Sequence, residues 1–256
     1  MIARLGPNHI LHRIGSSLLS SPKPFFRSWF HQVKIISAQY SLPDPLTVLI
    51  KPISKHSYKR LVKSKVIDYW ETQLRLKASK LDSLAFFQAK FYSLSHPHPI
   101  WTSARGNSYE VEKACVQGKM LSGRYRTCWL SRHWSGDSTG ICSLPSCRLT
   151  PTPGTLKHIL TECQDLGPAR MRVFSLWSDF LKDKPQLLPV VLKYCVDCHP
   201  SSHLQFLLDC TVLPDVISLS QIHGQMVHDS LLYLTRSFCY SMHKARLRLL
   251  GKWNIK

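Results

Sequence analysis

Acidic side chains are scarce. Fifteen Asp+Glu stand against 34 Lys+Arg in 256 residues, a formal net charge of +19, and the first acid along the chain is Asp44. A balance of that size and sign points to a polyanionic partner, with RNA or DNA ahead of an anionic membrane. Long apolar runs are missing too. Stretches such as "LPVVLKYCV" fall well short of the roughly 20 residues a bilayer span needs, so no membrane crossing is expected. No basic n-region followed by an apolar run and a small-residue cleavage site opens the chain, and the nine cysteines are odd in number. Secretion and a disulfide framework are therefore not expected, and the compartment expected is nuclear or cytoplasmic. The opening 30 residues contain Arg and Ser and no acid, which leaves a mitochondrial presequence as the alternative. Also absent are a phosphate-binding Gly-rich loop, a nucleophile elbow and any pair of adjacent aspartates that would hold two metals. A noncatalytic chain is the expectation.

What is present is a 44% hydrophobic fraction, ample for a buried core, and apolar positions that recur at helical spacing. No alternating strand pattern, internal repeat or low-complexity block interrupts them. The fold class expected is mainly α, an irregular helical protein with a small zinc-knuckle insert. Four regions are read. Residues 1–43 hold two short basic helices separated by "SSPKPF". Residues 44–94 begin with the three-proline "SLPDPLTVLIKPISK", read as a linker or docking strap, and continue as a basic helix. Its face carries Tyr58, Leu61, Val62, Val66, Trp70 and Leu74, and its first turns carry Lys59, Arg60, Lys63 and Lys65. Those lysines are either a solvated face or phosphate contacts.

Residues 95–165 open with "SHPHPIW", which cannot be helix interior and marks a seam near 95–106. A helix then starts at Asn107, with Glu110 three residues on as in a capping box, and stops near Gly123. Arg124, Arg126 and Arg132 follow, interleaved with Tyr125, Trp129 and Trp134, an arrangement that suits phosphate contact and base stacking as well as a plain core with arginines outside. Residues 166–256 read as helices at 168–182, 186–196, 202–209 and about 215–250, the last with a face of Ile222, Val227, Leu231, Leu234, Phe238 and Met242. The basic excess is uneven: 14 basic and 3 acidic side chains lie in 1–80, 9 and 6 in 81–165, and 11 and 6 in 166–256.

The chemistry concentrates in "CSLPSCRLTPTPGTLKHILTEC", with Cys142, Cys147, His158 and Cys163. Zn2+ takes four soft ligands in a tetrahedron, supplied by small modules as two close pairs. The "SLPS" between the first two favours a tight return, and Thr155 is placed to start a helix. The second pair carries a condition. Five residues along an unbroken α-helix leave side chains roughly 140° apart, so Cys163 must lie at or past the end of the helix that carries His158. Gln164 to Pro168 are expected to stop that helix. Cys195 and Cys198 with His199 or His203 form a second, weaker candidate metal group, and Asp215 with Asp229 has the spacing of metal-dependent nucleases without their strand context.

With "MLSGRYRT" and "GTLKHILTEC" in view, the chain resembles the C-terminal region of non-LTR (LINE-type) retrotransposon polyproteins, beyond the reverse transcriptase. The features fall on Leu121, Gly123, Tyr125, Arg126, Trp134, Cys142, Cys147, Gly154, Thr155, His158 and Cys163. "SHPHPIW" and "QFLLDCTVLPDVI" are also similar to segments of these elements, so the resemblance covers about 95–217. It implies a zinc-binding knuckle that helps the reverse transcriptase portion of the same element hold template RNA or target DNA, with the first 94 residues as thumb-like helices. It does not imply catalysis. The function expected is a noncatalytic zinc-binding, nucleic-acid-binding module in which Arg124, Arg126, Arg132 and Lys157 contact phosphate. The alternatives are an endonuclease using Asp215 and Asp229, a protein-interaction scaffold, and an inactive element fragment.

Overall fold

The computed structural model describes residues 6–20, 29–81, 84–104, 106–135 and 139–251, with only the backbone of 133–135. Among them every regular element is a helix, and the one β pairing is an isolated antiparallel bridge between Ile141 and Pro153. No helix among the described residues is long and apolar enough to cross a membrane. The chain divides into two compact units, Met1–Leu76 and Lys77–Lys256.

In the first unit, α1 (Ile10–Ser20), α2 (Trp29–Gln39) and α3 (Pro45–Ile50) pack on one another. The three-proline stretch read as a strap contains α3. Asp44 accepts a hydrogen bond from the Leu46 amide at 3.1 Å, and Pro45 sits in the first turn, where its missing N–H costs nothing. The helix α4 (Lys55–Ala78) follows as expected but stops at Ala78, short of the Phe- and Gln-bearing residues beyond it. Its apolar face is only half covered: Tyr58, Leu61, Val62, Val66 and Leu74 are half-buried and Trp70 is exposed.

The second unit is built around α13 (Gln225–Leu249), which packs against α6 (Ser108–Leu121), α9 (Gly167–Lys182), α11 (Pro200–Leu208) and α12 (Pro214–His223), with the short α10 (Leu188–Leu192) between α9 and α11 along the chain. Its face buries Val227, Leu231, Leu234, Phe238 and Met242, as the spacing requires. The sequence suggests one helix from 215 to 250, yet the chain breaks at Gly224, whose φ of 77° is strained for any side chain. Ile222 consequently belongs to α12 and is exposed. Two polar clamps fix the helices. Gln117 donates to Leu207 O, Leu208 O and Thr235 Oγ1 at 3.1–3.2 Å, tying α6 to α11 and α13. Arg236, 2% exposed, reaches Glu110 at 3.0 Å, Ser103 Oγ at 2.7 Å and Ile100 O at 3.3 Å.

That second clamp places the proline-rich 95–106 stretch inside the unit. His98 caps the short α5 (Pro99–Thr102) by accepting from the Ile100 amide, and its Nε2 lies 3.5 Å from the fully buried Asp209. Tyr92 and Thr211 also hydrogen-bond Asp209, so a buried carboxylate here is satisfied by donors rather than left alone. Asn107 caps α6 through the Tyr109 and Glu110 amides, but Glu110 does not complete a capping box; its carboxylate receives Lys113 and Arg236 instead.

Candidate metal centre and the cationic cavity beside it

The segment 140–154 folds back on itself. Cys142 N donates to Thr152 O and Gly154 N to Gly140 O, each at 2.8 Å, around the Ile141–Pro153 bridge. Within this loop Pro145 opens the short α8 (Pro145–Leu149), and Cys147 N returns to Leu144 O at 3.1 Å. Gly154 is required by space. A Cβ there would sit 2.8 Å from Cys128 Cβ and 3.2 Å from both Cα and N of Cys142.

Thr155 then starts the next helix as expected, its hydroxyl accepting from the His158 amide at 3.1 Å. The stereochemical condition on Cys163 is met in two ways. Residues His158–Glu162 form a π-helical turn, closed by Cys163 N on His158 O at 2.7 Å. Closing each ring one residue later than an α-helix widens the turn, which brings positions five apart towards one side. Cys163 itself has φ −58° and ψ 119° and has left the helix. Gly167 and Pro168 do not stop this turn but begin α9. Asp165 anchors the arrangement by accepting from Ser146 N at 3.0 Å and Ser146 Oγ at 2.6 Å, locking the helix of Cys147 to the turn of Cys163.

Cys142, Cys147, His158 and Cys163 thus converge, all buried, with one donor atom from each lying within 4.8 Å of every other. Cys147 Sγ is 3.7 Å from Cys163 Sγ and 3.2 Å from His158 Nε2. A disulfide needs about 2.05 Å between sulfurs. A tetrahedron with the bond lengths typical of zinc has edges of about 3.8 Å between sulfurs and about 3.5 Å between sulfur and nitrogen. The donor set fits a metal ion in type, number and spacing.

The electrostatics agree. Burial, with Cys163 and Cys142 alongside, pushes the Cys147 thiol up to about 12, and burial raises Cys142 as well. Burial lowers His158, keeping the imidazole neutral and its Nε2 lone pair available. His158 Nδ1 is buried without a hydrogen-bond partner and stands 3.8 Å from Glu162, the carboxylate nearest to the position a ligating histidine normally uses. Arg170, whose Nη2 donates to Cys163 O at 2.5 Å, supplies a guanidinium beside the thiols. Burial and the neighbouring thiols favour retained protons on Cys142 and Cys147 unless a cation is present, because a coordinating cation inverts the preference of a thiol.

The other expected residues are distributed as follows. Arg124 and Arg126 are exposed on the turn between α6 and α7 (Cys128–Ser135). They line a cavity of about 740 Å³ with Lys119, His243 and Arg246, and its wall includes Ser143, next to Cys142. Among the described residues neither Arg124, Arg126, Lys119 nor Arg246 forms an ion pair. Arg132 lies with its guanidinium carbon 3.3 Å from the centre of the Trp129 ring. Lys157 pairs with Glu162 at 2.7 Å. The side chain of Trp134 lies outside the described residues. Lys59, Arg60 and Lys63 are exposed on α4, and Lys65 is half-buried. Sequence reasoning missed Arg246 and Lys119. Arg246 had a signal, since it falls four residues after Met242 on the core face of α13, where a charged residue demands a reason.

Among the described residues no second group of three metal-ligating side chains forms. His199 caps α11 by accepting from Ser201 N, and Cys198 Sγ donates to Tyr194 O at 3.0 Å. Asp215 receives Lys193 at 2.8 Å and the Tyr194 hydroxyl at 2.6 Å, while Asp229 receives Gln225 at 3.2 Å, so each carboxylate is engaged on its own. Compared with protein-family models, with curated proteins and with solved structures, the chain matches none of them.

Proposed function

We propose that the chain is a noncatalytic, zinc-binding nucleic-acid-binding module of the kind found after the reverse transcriptase in LINE-type elements. The Cys3His group holds one Zn2+, chosen over harder cations because three thiolates and an imidazole are soft ligands. Bound there, the ion pins the 140–154 loop to the turn of His158 and Cys163. Arg124 and Arg126 contact backbone phosphates of RNA or DNA, with Arg132 and Lys157 at the margin. One observation carries the reading: the loop that supplies Cys142 also supplies Ser143 to a cavity lined by cations that have no carboxylate partner among the described residues. The two meet at one peptide, Cys142–Ser143, so an ion that fixes this loop also fixes one wall of the cationic cavity.

The test is a salt titration of binding to RNA and duplex DNA. If six phosphates are neutralised, affinity falls about 10³-fold between 50 and 200 mM salt. A flat response on both, or a partner retained after nuclease treatment, contradicts the reading and favours a protein scaffold.

A further inference from the structure

A second cavity, about 720 Å³, lies on the other side of the segment 123–130. Its lining is mostly apolar, with Phe86, Met120, Leu130, Leu156 and Leu204, together with Tyr125 and with Trp129, one face of whose ring carries the Arg132 guanidinium. Tyr125 also lines the cationic cavity, where its hydroxyl meets His243 Nδ1 at 3.0 Å and the Arg246 guanidinium lies 5.6 Å from its ring centre. Arg246 Nη1 in turn donates to Arg126 O at 2.8 Å, which holds the 123–130 segment in place between the two. No carboxylate lines the cationic side; the carboxylate that acts on His243 is Glu112, outside that lining. One side of a single short segment therefore offers cations and the other offers aromatic and aliphatic surface.

From this juxtaposition we infer a bipartite site for single-stranded nucleic acid: Lys119, Arg124 and Arg126 take backbone phosphates, the buried Arg246 holds their segment, and an unpaired base enters the apolar cavity beside Trp129. The inference rests on the nucleic-acid reading above and narrows it. Bases in a duplex are stacked and cannot enter a cavity without being extruded, which costs a few kcal/mol, whereas a single strand presents them freely. A π-face against an aromatic side chain together with a cationic groove is how sequence-tolerant single-strand binding is achieved. The polar residues that also line this cavity are Thr127, Thr155, Lys157, His199 and Ser201.

The experiment is fluorescence anisotropy on the zinc-loaded full chain with a 12-nucleotide single strand, as RNA and as DNA, its duplex, and a 12-nucleotide abasic strand of equal charge. The single strands bind tighter than the duplex, and the abasic strand loses about tenfold with the same salt slope. Trp129→Ala loses about tenfold on the single strands and nothing on the duplex, and Trp129→Phe recovers most of it. Arg124→Ala with Arg126→Ala flattens the single-strand salt slope by about 1.4. Should the abasic strand bind as well as the natural one, or duplex as well as single strand, the bipartite site is overturned while the nucleic-acid reading stands. Failure of every probe to bind overturns both.

Discussion

Gly154→Ala tests the construction of the centre without touching a ligand. The new methyl carbon would fall 2.8 Å from Cys128 Cβ and 3.2 Å from the Cα and N of Cys142, and two of these three are backbone atoms that cannot swing aside. The loop has to move, and overpacking of this kind costs about 1–3 kcal/mol. For a unit in the 150–250-residue range each kcal/mol lowers Tm by about 2–4 °C, so a fall of about 2–12 °C is expected. Cys142 moves with the loop. Metal–ligand distances are held to within about 0.2 Å in a well-formed site, so a displacement of a few tenths of an ångström should weaken zinc affinity about tenfold or more. The assay is competition with a chromophoric chelator, paired with thermal unfolding. Gly167→Ala is the control, since its nearest neighbour would be an Arg170 nitrogen at 4.0 Å. Wild-type zinc affinity in Gly154→Ala would refute the claim that this close approach positions Cys142.

Two further outcomes follow from the same geometry. Arg236→Met removes a 2%-exposed guanidinium from Glu110, Ser103 and Ile100 and leaves Glu110 with Lys113 alone; urea unfolding should show a loss of about 3–5 kcal/mol, and a loss below about 1 kcal/mol would mean the clamp is dispensable. Because burial and neighbouring thiols raise Cys147 and Cys142, their protons must leave when a metal binds, so zinc affinity should climb as pH rises from 6 to 8. Without metal the sign is opposite: thiols raised in the fold stabilise it below their unfolded values and cease to do so as pH rises through the folded ones. Calorimetry in buffers of different ionisation enthalpy reads the released protons directly, and a pH-independent affinity would rule the thiols out as ligands.

The helices were legible where period and punctuation agreed. Pro168, Pro200 and Pro214 each stand in a first turn, and the spacing from Val227 to Met242 marks the buried face of α13. Misreadings came from single residues with two uses. Pro45 looked like a breaker but begins a capped helix, and Gly224 looked tolerable within a helix but divides one. At the metal centre residue types and spacing named the four donors, while the π-turn that reconciles His158 with Cys163 has no sequence signature to read. The cationic cavity was only half visible, because Arg124 and Arg126 meet Arg246 across about 120 residues of chain and that meeting is a product of packing α13 on α6.

Cys142, Cys147, His158 and Cys163 are placed to hold one metal ion together. Metal content per chain, measured on purified protein and on Cys147→Ser, tests it most directly. One zinc per chain is expected in the wild type and none in the variant. Folded wild-type protein without metal, or a variant that keeps its full complement, would contradict it.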